Sequence, residues 1–170
     1  MLSRPHGTDG TGVSRRRAIA AAGHYRGVRG VTLNPDVVRT RSAEIEESVE
    51  RLESLAALPL AGFLADRDAQ DIACYRLLVA IEASLALCFH VSSRRLRTAP
   101  ADYVGCFGLL EDAGILAPDL TERLKHIAGL RNPLVHVCWK VDNRQVDDAL
   151  RKNLGDLRAS SAAIVSLLDG

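Results

Sequence analysis

One short stretch of the chain holds residue types that could do chemistry together. In Leu130-Arg131-Asn132-Pro133-Leu134-Val135-His136-Val137-Cys138-Trp139, polar groups interrupt an otherwise apolar run. Asparagine is a good N-cap and proline is favoured at the first position of a helix. Asn132-Pro133 therefore predicts a helix that starts, or restarts after a kink, at Pro133. That start would place Arg131 just before the cap and His136 at the fourth helical position, where residues normally meet as a staple. A guanidinium and an imidazole would then converge beside free N–H groups that attract anions. The same field disfavours imidazolium and keeps His136 available as a base near neutral pH. An unbroken helix would instead set the two positions about 140° apart around its axis.

The elements that must hold this stretch read as helices. Leu, Ala and Val dominate, aromatic residues make up 4% of the chain, and no strand alternation or Gly-rich phosphate loop is present. Asn34-Pro35-Asp36 opens a first helix with Val38, Ile45, Val49, Leu52 and Ala56 on one side, ending near Leu58-Pro59. Residues 60–66 read as a connector. A long second helix begins around Asp66–Asp71 and runs to about Leu96, with Ile72, Tyr75, Leu78, Val79, Leu85, Ala86 and Phe89 at the helical period. Glu82 lies in that stripe, as a catalytic carboxylate or as an acid bonding a neighbouring helix. His90 reads as a packed histidine. Arg94, Arg95 and Arg97 suit a helix C-terminus and also form a local phosphate patch. Ala99-Pro100-Ala101-Asp102 starts a third helix, built on Tyr103, Phe107, Leu109 and Leu110 and stopping at Gly114. Pro118-Asp119 opens a fourth, which leads into Arg131. Lys125 and His126 either add positive charge there or are plain surface. A last helix runs from beyond Asp142 to about Leu168, with Gly155 inside it. Five helical segments joined by short connections predict an all-α, antiparallel four- or five-helix bundle over residues 34–169.

Charge is unevenly spread. The net charge is +1, but residues 1–30 hold six arginines against Asp9 alone, so the rest carries about −4. Any nucleic-acid contact by the helical body must then use a local patch. Residues 1–33, rich in Gly, Arg, Ser and Thr, read as a disordered tail. Arg15-Arg16-Arg17 before Ala18–Ala22 is too short for a secretory signal. Cys74, Cys88, Cys106 and Cys138 show no metal-ligand spacing and read as buried thiols of a reducing, cytoplasmic compartment. No apolar run is expected to reach the length of a membrane span.

Arg131-Asn132-x-x-x-His136 near the end of a helical bundle, followed by Val137-Cys138-Trp139-Lys140-Val141-Asp142, resembles the HEPN superfamily, and more closely the HepT toxins of HepT/MNT (type VII) toxin–antitoxin pairs. Tyr75-Arg76 through Ile81-Glu82-Ala83, Phe89-His90, Ala99–Tyr103, Phe107, Gly114-Ile115-Leu116 and Ala128–Asn132 match in order and spacing, over roughly residues 35–168. The resemblance implies an all-helical homodimer, metal-independent RNA cleavage without a cofactor, and a nucleotidyltransferase antitoxin as partner. It makes Arg131 and His136 the catalytic pair, with Asn132 as their polar neighbour. The family motif continues to a tyrosine that the antitoxin modifies with AMP. Here that position is Cys138, so the resemblance does not extend to silencing by tyrosine AMPylation. Pro133 also departs from the family's usual basic or aliphatic residue.

The chemistry implied is attack of a ribose 2′-oxygen on the adjacent phosphorus. His136 takes the hydroxyl proton and Arg131 holds the non-bridging oxygens. A two-fold dimer supplies a second His136 as the acid, and the product ends in a 2′,3′-cyclic phosphate. Two other readings stay open: a non-catalytic module of this superfamily that binds nucleotide or RNA beside a nucleotidyltransferase, and an interaction bundle in which Arg131 and His136 are structural.

Overall fold

A computed structural model describes residues 32–136 and 141–169, His136 by its backbone alone. The predicted tail, apart from Thr32 and Leu33, lies outside the described residues, as does Cys138; Leu33 itself is buried. Every regular element among the described residues is helical.

Helix α1 spans Pro35–Ala56 and starts where the Asn34-Pro35 signal places it: Asn34 Oδ1 accepts from the N–H of Asp36 at 2.9 Å. Val38, Ile45, Val49 and Leu52 are buried on one side, as their spacing predicts. The expected connector over 60–66 is instead a short helix, α2, Leu60–Ala65. Six residues are too few to show a periodicity. The segment is anchored by the fully buried Phe63 and by the Gln70 amide, which donates to the carbonyls of Phe63 and Leu64, both at 2.9 Å.

Helix α3, Arg67–Val91, is the central element, capped by Asp66 and extended by a π-helical turn over Ser92–Leu96. It lies antiparallel to α1. Asn34 at the start of α1 meets His90 near the end of α3, and Glu47 further along α1 meets Arg76 further back on α3. His90 Nε2 accepts the Asn34 N–H at 2.9 Å, which requires a neutral ring. Burial, with the nearby Arg94 charge, pushes its pKa down accordingly. The expectation that no apolar run reaches membrane length is corrected here. Arg67–Leu96 is long and apolar enough to cross a membrane, but over half of its apolar window is buried within the fold.

Helices α4 (Tyr103–Asp112) and α5 (Pro118–Gly129) follow, α4 capped by Asp102, which accepts the Gly105 N–H at 2.6 Å. The turn between them uses Gly114 at φ 70°, a conformation open to glycine at little strain. A six-residue helix α6, Arg131–His136, comes next. The last helix, expected to be continuous, is two: α7, Asn143–Lys152, and α8, Leu154–Val165, with a 3-10 turn over Ser166–Leu168. The break falls at Asn153, not at Gly155. Asn153 is buried and its amide donates to Asp156 at 3.0 Å, a local bond that competes with continuing the helix.

Arginines tie this C-terminal pair to the rest. Arg151 binds Asp147 and donates to the carbonyls of Ala56 and Leu58 at the end of α1, supplying partners that a helix C-terminus lacks. Arg158 of α8 lies between Glu46 and Glu53 of α1. Cys88 and Cys106 are buried between α3 and α4, where a hydrogen bond to Cys106 and burial keep the Cys88 thiol protonated. Two residues of the predicted α3 stripe are not core: Ile72 is 49% exposed and Tyr75 62%.

Candidate functional site

The site is built where α3, α4 and α6 meet. Helix α5 carries the chain there with Leu124 and Ile127 buried beneath it. Its end is not a full break. Leu130, at φ −72° and ψ −16°, stays helical, and its carbonyl accepts the N–H of Leu134 at 3.0 Å. Helix α6 therefore begins at Arg131, two residues earlier than Asn132-Pro133 predicts, and Asn132 is not its cap. Pro133 falls at the third helical position, still inside the first turn, where its missing N–H leaves no bond unmade. Burial of Leu134 and the bonds of Arg131 outweigh the preference of a residue before proline for extended backbone.

This shift changes the geometry of the pair. Arg131 and His136 occupy one helix at a spacing of five, so their positions lie about 140° apart around its axis. The helix start at Pro133 on which the staple-like placement depends is replaced by a start at Arg131. With six residues, α6 also offers little macrodipole, so attraction for an anion rests on Arg131 itself.

Arg131 is held by three neighbours. Its Nε donates to Glu82 Oε1 on α3 at 2.6 Å. Its Cζ lies 4.7 Å over the centre of the Tyr103 ring of α4, within cation–π range. Its Nη1 donates, at 3.4 Å, to Asn132 Oδ1. The Glu82 bond holds the guanidinium further from deprotonation. Among the described residues, Nη2 makes no hydrogen bond. Phe89 stands edge-on to Tyr103, with ring centres 6.1 Å apart.

Of the residues singled out from the sequence, the structure thus brings together Arg131, Asn132 and Glu82, and Glu82 bonds a neighbouring helix. Lys125 is engaged by Glu122 at 2.7 Å, and His126 is exposed. Arg94, Arg95 and Arg97 end α3 on exposed surface, Arg97 in the left-handed region at φ 54°. Sequence reasoning placed Tyr103 only as a packing residue of the third helix. It is 41% exposed and lies against Arg131. Its place after the Asp102 cap marks a helix start, and nothing in the local pattern links it to a residue 28 positions on. No cluster of potential metal ligands occurs among the described residues.

Comparison with known proteins agrees with this architecture. No curated protein matches the chain. Among solved structures, it resembles a toxin–antitoxin complex crystallised with AMP-PNP, at 23% identity and a TM-score of 0.67, covering 76% of this chain and 98% of that one. A tri-AMPylated Shewanella oneidensis HEPN toxin in complex with its MNT antitoxin gives 22% identity and a TM-score of 0.70, covering 77% and 98%. At these identities the likeness establishes the shared fold. The model of the "Ribonuclease HepT-like" family matches residues 45–164, most of the chain and all of α3 through α7, and on that match the chain belongs to the HepT-like ribonuclease family.

Proposed function

We propose that this protein is the toxin of a HepT/MNT-type toxin–antitoxin pair, a cytoplasmic endoribonuclease that cleaves RNA by 2′-hydroxyl attack without a metal. Arg131 carries the reading: it is a guanidinium fixed at its Nε edge and over one face, and among the described residues its Nη2 is not engaged. It holds the non-bridging oxygens and stabilises the charge that builds on phosphorus. His136 takes the 2′-hydroxyl proton, and Asn132 steadies the guanidinium.

One histidine does not readily serve as both base and acid in a single turnover, so the reaction uses a second copy. Ile72, Tyr75, Val79, Glu82, Ala86 and Phe89 recur along α3 at heptad spacing, and each is exposed or half-buried. Such a stripe on the central helix is what a two-fold partner would cover. Dimerisation along it brings the two Glu82–Arg131 pairs beside one another and lets the partner's histidine protonate the leaving 5′-oxygen. The partner is an MNT antitoxin, the kind named in a complex of similar fold, and the sequence resemblance makes it a nucleotidyltransferase. It acts on a chain whose motif carries Cys138 where the family has tyrosine.

The test is direct. Purified full-length protein, free of any antitoxin, should sediment as a dimer and cut RNA in chelator to fragments ending in 2′,3′-cyclic phosphate. His136→Ala should abolish cleavage and leave the dimer intact. A wild-type dimer that leaves diverse RNAs whole would end the nuclease reading. The second reading, a module that binds RNA without cutting it, draws support from the separation of Arg131 and His136 around α6. It predicts RNA binding unaffected by His136→Ala.

A further inference from the structure

The nuclease reading gives Glu82 no part in the reaction, yet it makes the shortest bond at the site. Its carboxylate, on the middle of the central helix, meets Arg131 Nε at 2.6 Å. A guanidinium has five N–H groups in a fixed plane. Binding it at Nε fixes the long side chain while leaving the outer Nη edge for a phosphate. The Tyr103 ring sets the tilt of that plane from one side, and Asn132 takes an Nη1 hydrogen at 3.4 Å. Arg131 is thereby bound by side chains from two other helices before any RNA arrives. Glu82 itself is half-buried in the open stripe of α3, so its carboxylate lies at the site and not sealed in the core.

We infer that Glu82 is a positioning residue for Arg131, orienting the guanidinium for the transition state with Tyr103 as a second wall, and that it takes no proton in the reaction. This rests on the nuclease reading for its catalytic consequence, but not for its geometry. A carboxylate this close to bound phosphate weakens ground-state RNA binding by repulsion, and positioning acts on the transition state. The two effects pull KM and kcat apart.

The experiment compares wild type, Glu82→Ala and Glu82→Gln as full-length protein, by RNA cleavage and by the NMR signal of the Arg131 Nε–H, assigned with Arg131→Lys. Glu82→Ala should lower kcat about 10- to 100-fold, the scale of a misplaced group, with KM unchanged or lower and the melting temperature close to wild type. Glu82→Gln keeps the acceptor oxygen and should restore kcat to within a few-fold. The Nε–H should exchange slowly in wild type and Glu82→Gln and rapidly in Glu82→Ala. Cleavage that is undiminished or faster in Glu82→Ala, or that falls equally in both variants, would overturn the proposal. So would an Nε–H signal indifferent to Glu82. If wild type cuts no RNA, the nuclease reading fails alone. The Nε–H signal, with affinity for a 2′-O-methylated oligoribonucleotide, then decides whether Glu82 holds Arg131.

Discussion

Arg158 and Arg131 each bind glutamate from a neighbouring helix, and they end in opposite conditions. Arg158 of α8 is surrounded. Its Nε donates to both oxygens of Glu46, its Nη2 to Glu46 and Glu53, and its Nη1 to Glu53. Every edge of the fork is engaged, and the guanidinium pins α8 to α1. Among the described residues, Arg131 has one strong bond, to Glu82, one aromatic face and one long contact, to Asn132. Exposure alone would rank them the other way, since the Arg131 side chain is 22% accessible and that of Arg158 34%. Among the described residues, the guanidinium that joins α8 to α1 has a carboxylate on each nitrogen, whereas that of Arg131 has one at Nε.

This contrast can be broken or sharpened by experiment. The largest effect should come from Arg131→Lys. It keeps the charge and loses the planar fork, and should lower RNA cleavage about 100-fold or more with little change in melting temperature. Arg158→Lys in the same assay should cleave as wild type. Equal losses in the two variants would erase the distinction.

A smaller effect is expected when the saturated arginine is removed. Arg158→Met should lower unfolding free energy by no more than about 1 kcal/mol, because exposed ion pairs are screened and their side-chain ordering is unfavourable. Urea denaturation measures it, and a loss several times larger would mean that this seam holds the fold together.

The smallest effect is the pH dependence of that seam. Hydrogen bonding to Arg158 holds the Glu46 carboxyl below its ordinary pKa of 4.5. The folded state then binds fewer protons than the unfolded one as pH falls past 4.5. The stabilisation is fully present above that value and is lost as pH drops through the lowered one. The difference in melting temperature between wild type and Arg158→Met should narrow as pH is taken from about 7 towards about 3. A constant difference would show that Glu46 and Arg158 do not interact in solution.

The helices were largely legible in the chain because their signals are local. Asn34-Pro35, Asp66, Asp102 and Pro118 mark starts within a few residues, and the structure begins helices at each. Where short-range preference competes with long-range contact, the structure departs from the local signal. Asn132-Pro133 looks like a helix start, but the bond of Arg131 to Glu82, 49 residues away, and the burial of Leu134 keep the chain helical from Arg131. Ile72 and Tyr75 fit the helical period and are nonetheless exposed, because periodicity reports that a helix face is apolar without saying what covers it.

By itself, then, the sequence determined the all-helical class, most helix boundaries, and the stretch from Arg131 to His136 as the candidate one, since capping and the 3.6-residue period act over a few positions. Only the tertiary structure decided which groups hold Arg131, that Tyr103 lies against it, and that one face of α3 is exposed or half-buried among the described residues. Those depend on how helices distant in the chain pack together, and no spacing within a single helix encodes that.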